Sequence, residues 1–405
     1  MFMLERKFLA WIEKNIYTLT FLGITIIGFL IRVSLRRYQS GDATIDLLPW
    51  YDEIQRGGGI LSLGHQVGNY NLLYQFLIAL MTYIPIKPLY AYKVLSCIFD
   101  YLLALSVGYL IYEVTTEEKR WKALVGYSIV VISPIIFVNS AVWAQCDVIY
   151  TFWIMISLIF LIKGKYVRAF IFYGVALAFK LQAIFFLPFL LFIYFVLKKF
   201  SIINFAILPA VMCVSALPCM MMGREFTDVF TVYFGQTDTY KAMSMNYPSF
   251  WVLINNAAME ETYDTYKTAA IFFTVCILAA WMVIWIVRKT ELNKQNMVYM
   301  AFMIVYTCVL FLPAMHERYG YVYEIVAIVV IFLNRKSIPL FVVLSGMSLF
   351  TYGFCLHGRT IDLSFLSVIN VIVYLIYAFI LFYPDFVNSE KLGKNSHIEK
   401  SDKRE

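Results

Sequence analysis

Residues 70–86 read YNLLYQFLIALMTYIPI, and the topology of the whole chain turns on whether this run crosses a bilayer. It is apolar enough to tempt a transmembrane reading, yet short of the ~20 residues an ideal span needs. Asn69-Tyr70-Asn71 opens it, and Pro85 with Lys87-Pro88 closes it. Pro88 suits the first turn of a following helix, where its missing N–H is not needed. Outside this run, apolar stretches lie near 16–35, 88–112, 123–142, 148–163, 167–180, 182–197, 201–221, 267–287, 297–313, 319–333, 338–355 and 364–383. Counting 70–86 gives thirteen spans; leaving it out gives twelve.

Basic residues collect on the cytoplasmic side of membrane proteins, and that rule decides the count. With the N-terminus inside and 70–86 lying along the outer surface, the inside segments are 1–15, 113–122, 163–168, 198–200, 288–296, 334–337 and 384–405. They hold 21 of the 33 Lys and Arg residues. If 70–86 crossed, Lys119-Arg120-Trp121-Lys122, Lys163-Gly164-Lys165, Lys198-Lys199 and Arg335-Lys336 would all move outside. The sequence therefore predicts an all-α polytopic membrane protein with about 12 transmembrane helices and both termini cytoplasmic. Surface-lying helices are expected in the first outer loop. Residues 1–387 read as a single transmembrane domain, with 36–87 the first extracytoplasmic loop and 222–266 a second long outer one. The tail, 388–405, is basic and expected to be disordered.

Composition agrees. Of 405 residues, 61% are hydrophobic and 15% charged, against about 45–50% and 25% in soluble domains. Disorder, collagen, coiled coil and a disulfide-rich secreted scaffold are excluded. The net charge of +7 is accounted for by membrane orientation, so no nucleic-acid partner is expected. The seven cysteines form no CxxC pair or zinc-spaced cluster and read as packing residues. No small-residue cleavage site follows the first apolar run, which is expected to be a retained span.

The outer segments carry the polar constellations. After the first span comes Ser40-Gly41-Asp42-Ala43-Thr44-Ile45-Asp46-Leu47-Leu48-Pro49-Trp50-Tyr51-Asp52-Glu53. Its four carboxylates suit a general base or a divalent cation, Mg or Mn, or simply cap a helix. Trp143-Ala144-Gln145-Cys146-Asp147 sits where the third span emerges, and Asp147 there is also suited to an N-cap. Lys180-Leu181-Gln182 interrupts two apolar runs; a lysine at that depth faces a cavity, faces a carboxylate, or snorkels outward. In Leu312-Pro313-Ala314-Met315-His316-Glu317-Arg318-Tyr319, Arg318 offers a fork for phosphate and His316 a donor or proton. Glu317 can pair with either. His357-Gly358-Arg359 is a weaker outer candidate. Walker, HExxH, GxGxxG and Ser-His-Asp patterns are missing from the sequence.

Taken in order, Asp42 with Leu48-Pro49-Trp50-Tyr51, Asn69-Tyr70, Phe99-Asp100, Trp143–Asp147, Phe179-Lys180-Leu181-Gln182-Ala183 and Pro313–Tyr319 resemble the GT-C class of integral-membrane glycosyltransferases. The likeness is to bacterial mannosyltransferase-like proteins related to the enzyme that adds the second mannose in GPI-anchor assembly. Departures are Asp46 at an aromatic or apolar position, Leu72-Leu73 for Pro-Pro, and Ala144 for Gly. The resemblance implies an essential acid on the first outer loop, at Asp42, and a lipid-phosphate-linked sugar donor. The expectation is inverting transfer of mannose or another hexose from a polyprenyl-phosphate carrier to an acceptor hydroxyl on a cell-envelope glycan, lipid or protein. The resemblance also implies a bacterial plasma membrane as the location. Asp42 is the expected base and Asp147 positions the acceptor or shares a metal with it. Lys180, Gln182, His316 and Arg318 bind the donor phosphate. Asp46, Asp52, Glu53, Gln145, Glu317 and Tyr319 stand in support, with Gln236, Asp238 and Asn246 further out. A transporter or flippase of lipid-linked sugars and a polysaccharide polymerase are the alternatives.

Overall fold

The structure, a computed structural model, describes residues 3–237, 241–255, 262–359 and 361–401. It is a helical bundle: α1 (Met3–Leu35), α2 (Leu48–Arg56), α3 (Leu72–Met81), α4 (Pro88–Val114), α5 (Lys119–Ile132), α6 (Pro134–Phe137), α7 (Asp147–Ile162), α8 (Tyr166–Phe179) and α9 (Leu187–Leu197). There follow α10 (Ile207–Met221), α11 (Asp228–Thr237), α12 (Val252–Asn255), α13 (Tyr263–Arg288), α14 (Lys294–Phe311), α15 (Tyr321–Leu333), α16 (Ile338–Leu356) and α17 (Ser364–Ser401). Two two-residue strands, β1 (Ser244–Met245) and β2 (Met315–His316), pair in parallel. α17 remains helical as far as Ser401, through most of the tail expected to be disordered; no proline follows Pro384 to stop it.

Among the described residues, seven helical segments are long and apolar enough to cross a membrane, and the protein is a polytopic membrane protein. An eighth span is bent by 41° between Lys119–Ile132 and Pro134–Val142. The cause is local: Ser133 precedes Pro134 and is pushed to ψ 123°, outside the helical region. Four shorter apolar helices, which the sequence reading counts toward its twelve, are Asp147–Ile162, Tyr166–Phe179, Leu181–Leu197 and Tyr321–Leu333. Each of these begins or ends at the polar end of the bundle, beside Asp147, Lys180 or Arg318. They are short because they stop at a cavity rather than at the bundle's edge.

The run 70–86 is not one continuous helix. It forms the ten-residue α3, which packs on α8 and α10, and then a turn into Pro88. The ends of α1 and α4 are together: Lys93 Nζ on the first turns of α4 donates to the carbonyls of Leu35, Arg36 and Tyr38. Tyr51 Oη also donates to Met81 O at 3.0 Å, fastening α2 to the end of α3. Deeper in, a buried pair joins Arg32 on α1 to Asp100 on α4 at 2.8 Å. Ser140 Oγ donates to the same carboxylate, and Arg32 Nη1 donates to Gly28 O and Val131 O. Gly28 is required for this approach of α1 to α5, since a Cβ there would lie 2.2 Å from Val131 Cγ1. All seven cysteines are free.

Candidate active site

Eight separated segments meet at the polar end of the bundle around a cavity of about 440 Å³, a size typical of small-molecule sites. Asp42, Asp46, Gln145, Lys180, Gln182, His316, Glu317, Arg318 and Tyr319 all line it. So do Trp50, Asn69, Tyr70, Trp143, Asn246 and Arg359.

Asp42 stands where α1 gives way to the turn before α2. Ser40 fixes that turn, its Oγ donating to Trp143 O at 3.1 Å and accepting from Ala43 N at 3.2 Å. Three donors converge on one oxygen of Asp42: Trp143 Nε1 at 3.0 Å, Gln145 Nε2 at 2.8 Å and Arg318 Nη2 at 3.5 Å from Oδ2. Among the described residues, no protein group engages Oδ1. The side chain is 40% exposed, so the carboxylate is pinned through one oxygen and free through the other. Burial and the neighbouring Asp42 charge raise the Asp46 carboxyl, with Arg318 opposing.

The loop Trp143-Ala144-Gln145 owes its shape to Ala144, which adopts φ +63°. That left-handed backbone is where a glycine would be unstrained. Ser96 Oγ donates to Gln145 O at 2.7 Å, so the loop that presents Gln145 to Asp42 is tied to α4.

Asp147 is fully buried and does not reach the cavity wall. Its Oδ1 takes the Lys180 ammonium at 2.5 Å; its Oδ2 takes Asn139 Nδ2 at 2.9 Å and lies 4.0 Å from Arg318 Nη1. It is thus a counter-ion beneath two cavity cations, and its place fits neither direct contact with an acceptor nor a metal shared with Asp42. Such a metal would have to displace Lys180, Asn139 and Arg318. Among the described residues, no three His, Cys, Asp or Glu side chains form a metal-binding group.

Arg318 is the hub. Its Nε donates to Glu317 Oε1 at 2.9 Å, and its guanidinium lies 4.8 Å from the Trp143 ring centroid. Burial would lower its pKa, but the carboxylates of Glu317, Asp147 and Asp42 more than reverse this. Burial likewise opposes ionisation of Glu317, but the His316 hydrogen bond and the Arg318 charge hold its carboxyl down at about 2. The local pairing of Glu317 with Arg318 is formed, and it serves the cavity. β1 holds this segment in place: Ala314 N donates to Met243 O and Glu317 N to Met245 O, both at 3.1 Å.

Two expected supporting residues lie elsewhere. Asp52 pairs with Arg56 at 2.6 Å and Glu53 with His65 at 3.3 Å, half-exposed on the outer face of α2. Tyr51 and Ile54 take the inward face, so helical periodicity turns the two acids away. Gln236 reaches the cavity and donates to Asn71 Oδ1 at 2.9 Å; Asp238 lies outside the described residues. Sequence reasoning missed the aromatic wall: Trp50 meets Tyr70 edge-on at 5.3 Å, and Tyr70 Oη donates to Gln145 Oε1 at 3.3 Å.

Residues 69–313, more than half of the chain, match the family model described as Glycosyltransferase family 87. That stretch includes the Trp143–Asp147 and Lys180–Gln182 segments and stops just before Met315. No curated protein matches the chain.

Proposed function

The chain belongs to glycosyltransferase family 87 and is a membrane glycosyltransferase, and from that premise we propose that it transfers mannose or another hexose from a polyprenyl-phosphate carrier to an acceptor hydroxyl outside the cytoplasm. The face is argued from charge: 21 of 33 basic residues fall in the segments that the sequence reading puts inside, and the cavity is lined by residues of the segments it puts outside. Nucleotide sugars do not reach that side, whereas a lipid-borne sugar does.

In this reading Asp42 is the general base. Oδ1 takes the proton of the acceptor hydroxyl, the acceptor oxygen bonds to the anomeric carbon, and the bond from that carbon to the phosphate oxygen breaks. The electron pair leaves with the polyprenyl phosphate, so attack opposite the leaving group inverts the anomeric centre. Negative charge grows on the phosphate, where fixed cations lower the barrier. Arg318 and His316 meet it, with Lys180 and Gln182 lining the same wall. Asp147 is a positioning residue that holds Lys180 and Arg318 in register.

One observation carries the proposal: Oδ2 of Asp42 is held by Trp143, Gln145 and Arg318 while Oδ1 is left to the cavity. That orientation presents a base, and it links the base to the phosphate-side cation in one network. The test is transfer by the purified chain in liposomes from three radiolabelled donors: a polyprenyl-phosphate hexose, a nucleotide hexose and an oligosaccharide on a polyprenyl diphosphate. Transfer from the first alone is expected. Use of the nucleotide sugar would refute the donor class, and use of the diphosphate donor would make the protein a polymerase.

A further inference from the structure

Most of the cavity's cations are already neutralised. Lys180 is held by Asp147, Arg318 by Glu317, and His316 Nδ1 lies 3.8 Å from Glu317 Oε2. Arg359 lines the same cavity, and its side chain meets no described partner. It sits just beyond α16, where Gly358 at φ +61° turns the chain and Arg359 N donates to Phe354 O at 2.9 Å.

Below it an apolar groove runs between α16 and α17, lined by Gly346, Met347, Phe350, Phe354, Phe365 and Leu366. Its mouth is on the bundle's outside, where Phe350 is 48% and Phe365 72% exposed. A Cβ at Gly346, which lines the groove, or at Gly353, two helical turns along the same face, would meet nothing within 4 Å. Asp362, at the head of the groove, directs Oδ1 to Ser364 N at 2.9 Å. The cavity's Cys355, Gly358 and Arg359 and the groove's Phe354, Ile361 and Asp362 therefore alternate along the chain at the end of α16. In a prenyl-phosphate sugar only the phosphate separates the reacting carbon from the chain, so that phosphate must sit where a polar cavity borders hydrocarbon.

We propose that Arg359 binds the donor phosphate and that the α16–α17 groove carries the adjoining isoprene units out to the bilayer. This rests on the donor class proposed above. A second outward groove lies between α1 and α4, lined by Phe29, Val33, Val94 and Ile98. Its cations are engaged, Arg32 by Asp100, Lys93 by three carbonyls and Arg36 by Val33 O.

The test uses the full chain in liposomes with two hexosyl-phosphate donors, one on a long polyprenyl chain and one on a ten-carbon prenyl chain. Arg359→Gln is expected to raise KM for both by tenfold or more, and to weaken inhibition by free prenyl phosphate by the same factor; Arg359→Lys recovers part of each. Gly346→Trp is expected to raise KM for the long donor only. Its unchanged kinetics on the short donor report an intact fold, and Gly353→Leu repeats the test with a smaller insertion. Val94→Trp, in the other groove, leaves both KM values alone. An Arg359→Gln KM within twofold of wild type overturns the phosphate assignment. A long-donor defect in Val94→Trp but not in Gly346→Trp or Gly353→Leu moves the chain to the other groove. If the wild type uses neither donor, the donor reading fails and this inference with it.

Discussion

Replacing Asp42 by asparagine removes a proton acceptor while keeping the shape that the cavity was built around. The asparagine carbonyl can take the place of Oδ2, still accepting from Trp143 Nε1 and Gln145 Nε2, which lie 3.0 and 2.8 Å away. Arg318 loses one charge at 3.5 Å but keeps Glu317 at 2.9 Å and Asp147 at 4.0 Å. Because Asp42 is 40% exposed, the cost to folding is small, under about 1 kcal/mol by analogy with partly exposed ion pairs. What is lost is the base. Positioned proton transfer contributes about 10²–10⁴ in rate, or roughly 2.7–5.5 kcal/mol at 1.36 kcal/mol per decade. The assay is single-turnover transfer from preloaded donor lipid, with detergent-extracted yield and unfolding midpoint as controls. The expected result is a fall in the chemical step of about 10²–10⁴, with donor KM within a few-fold and the unfolding midpoint unchanged. A chemical step within threefold of wild type would show that Asp42 is not the base.

Asp147→Asn leaves the Lys180 ammonium without its buried counter-ion, which should cost about 3–5 kcal/mol; the unfolding midpoint in detergent should drop, and a midpoint equal to wild type would contradict the pairing. Adding Lys180→Met should restore stability without restoring transfer. Glu317, held at about 2 against an ordinary 4.5, lends stability that is complete above the unfolded pKa and is lost as pH falls toward 2. The stability gap between wild type and Glu317→Gln should therefore be flat from pH 5 to 7 and close below pH 4; a gap that closes near neutrality would show that the carboxyl is not depressed. Chelation by EDTA should leave transfer unchanged, since Asp147 is committed to Lys180 and Asn139; loss of activity restored by Mg or Mn would overturn this.

Much of the architecture could be read from sequence because two strong physical terms govern it. Hydrocarbon solvation marks the apolar runs, and the placement of lysine and arginine fixes their parity. Together they set 70–86 apart from the spanning runs in the sequence reading, where length alone does not. Span length would have misled at α15, whose 13 residues fall well short of a bilayer. Its neighbours His316 and Arg318, not its length, mark it as a helix ending at a cavity. The acids and bases of the site were legible as polar interruptions of apolar runs. Their pairings were not. Nothing local joins Arg32 to Asp100, 68 residues on, or says that Asp147 is buried under Lys180 while Asp42 keeps an oxygen free. Asp52 and Glu53 stood beside Asp46 as supporting acids in the sequence, and the inward turn of Tyr51 and Ile54 is what separates them from it.

The central claim is that one cavity brings Asp42 to the sugar and Arg318 to the phosphate. Its most direct test is to locate the phosphorus of a bound, non-transferable hexosyl-phosphonate prenyl lipid by electron cryomicroscopy. The account predicts phosphorus between Arg318 and Arg359, with the anomeric carbon on the Asp42 side. Phosphorus at the basic end of the bundle, or outside the cavity with no contact to either arginine, would contradict it.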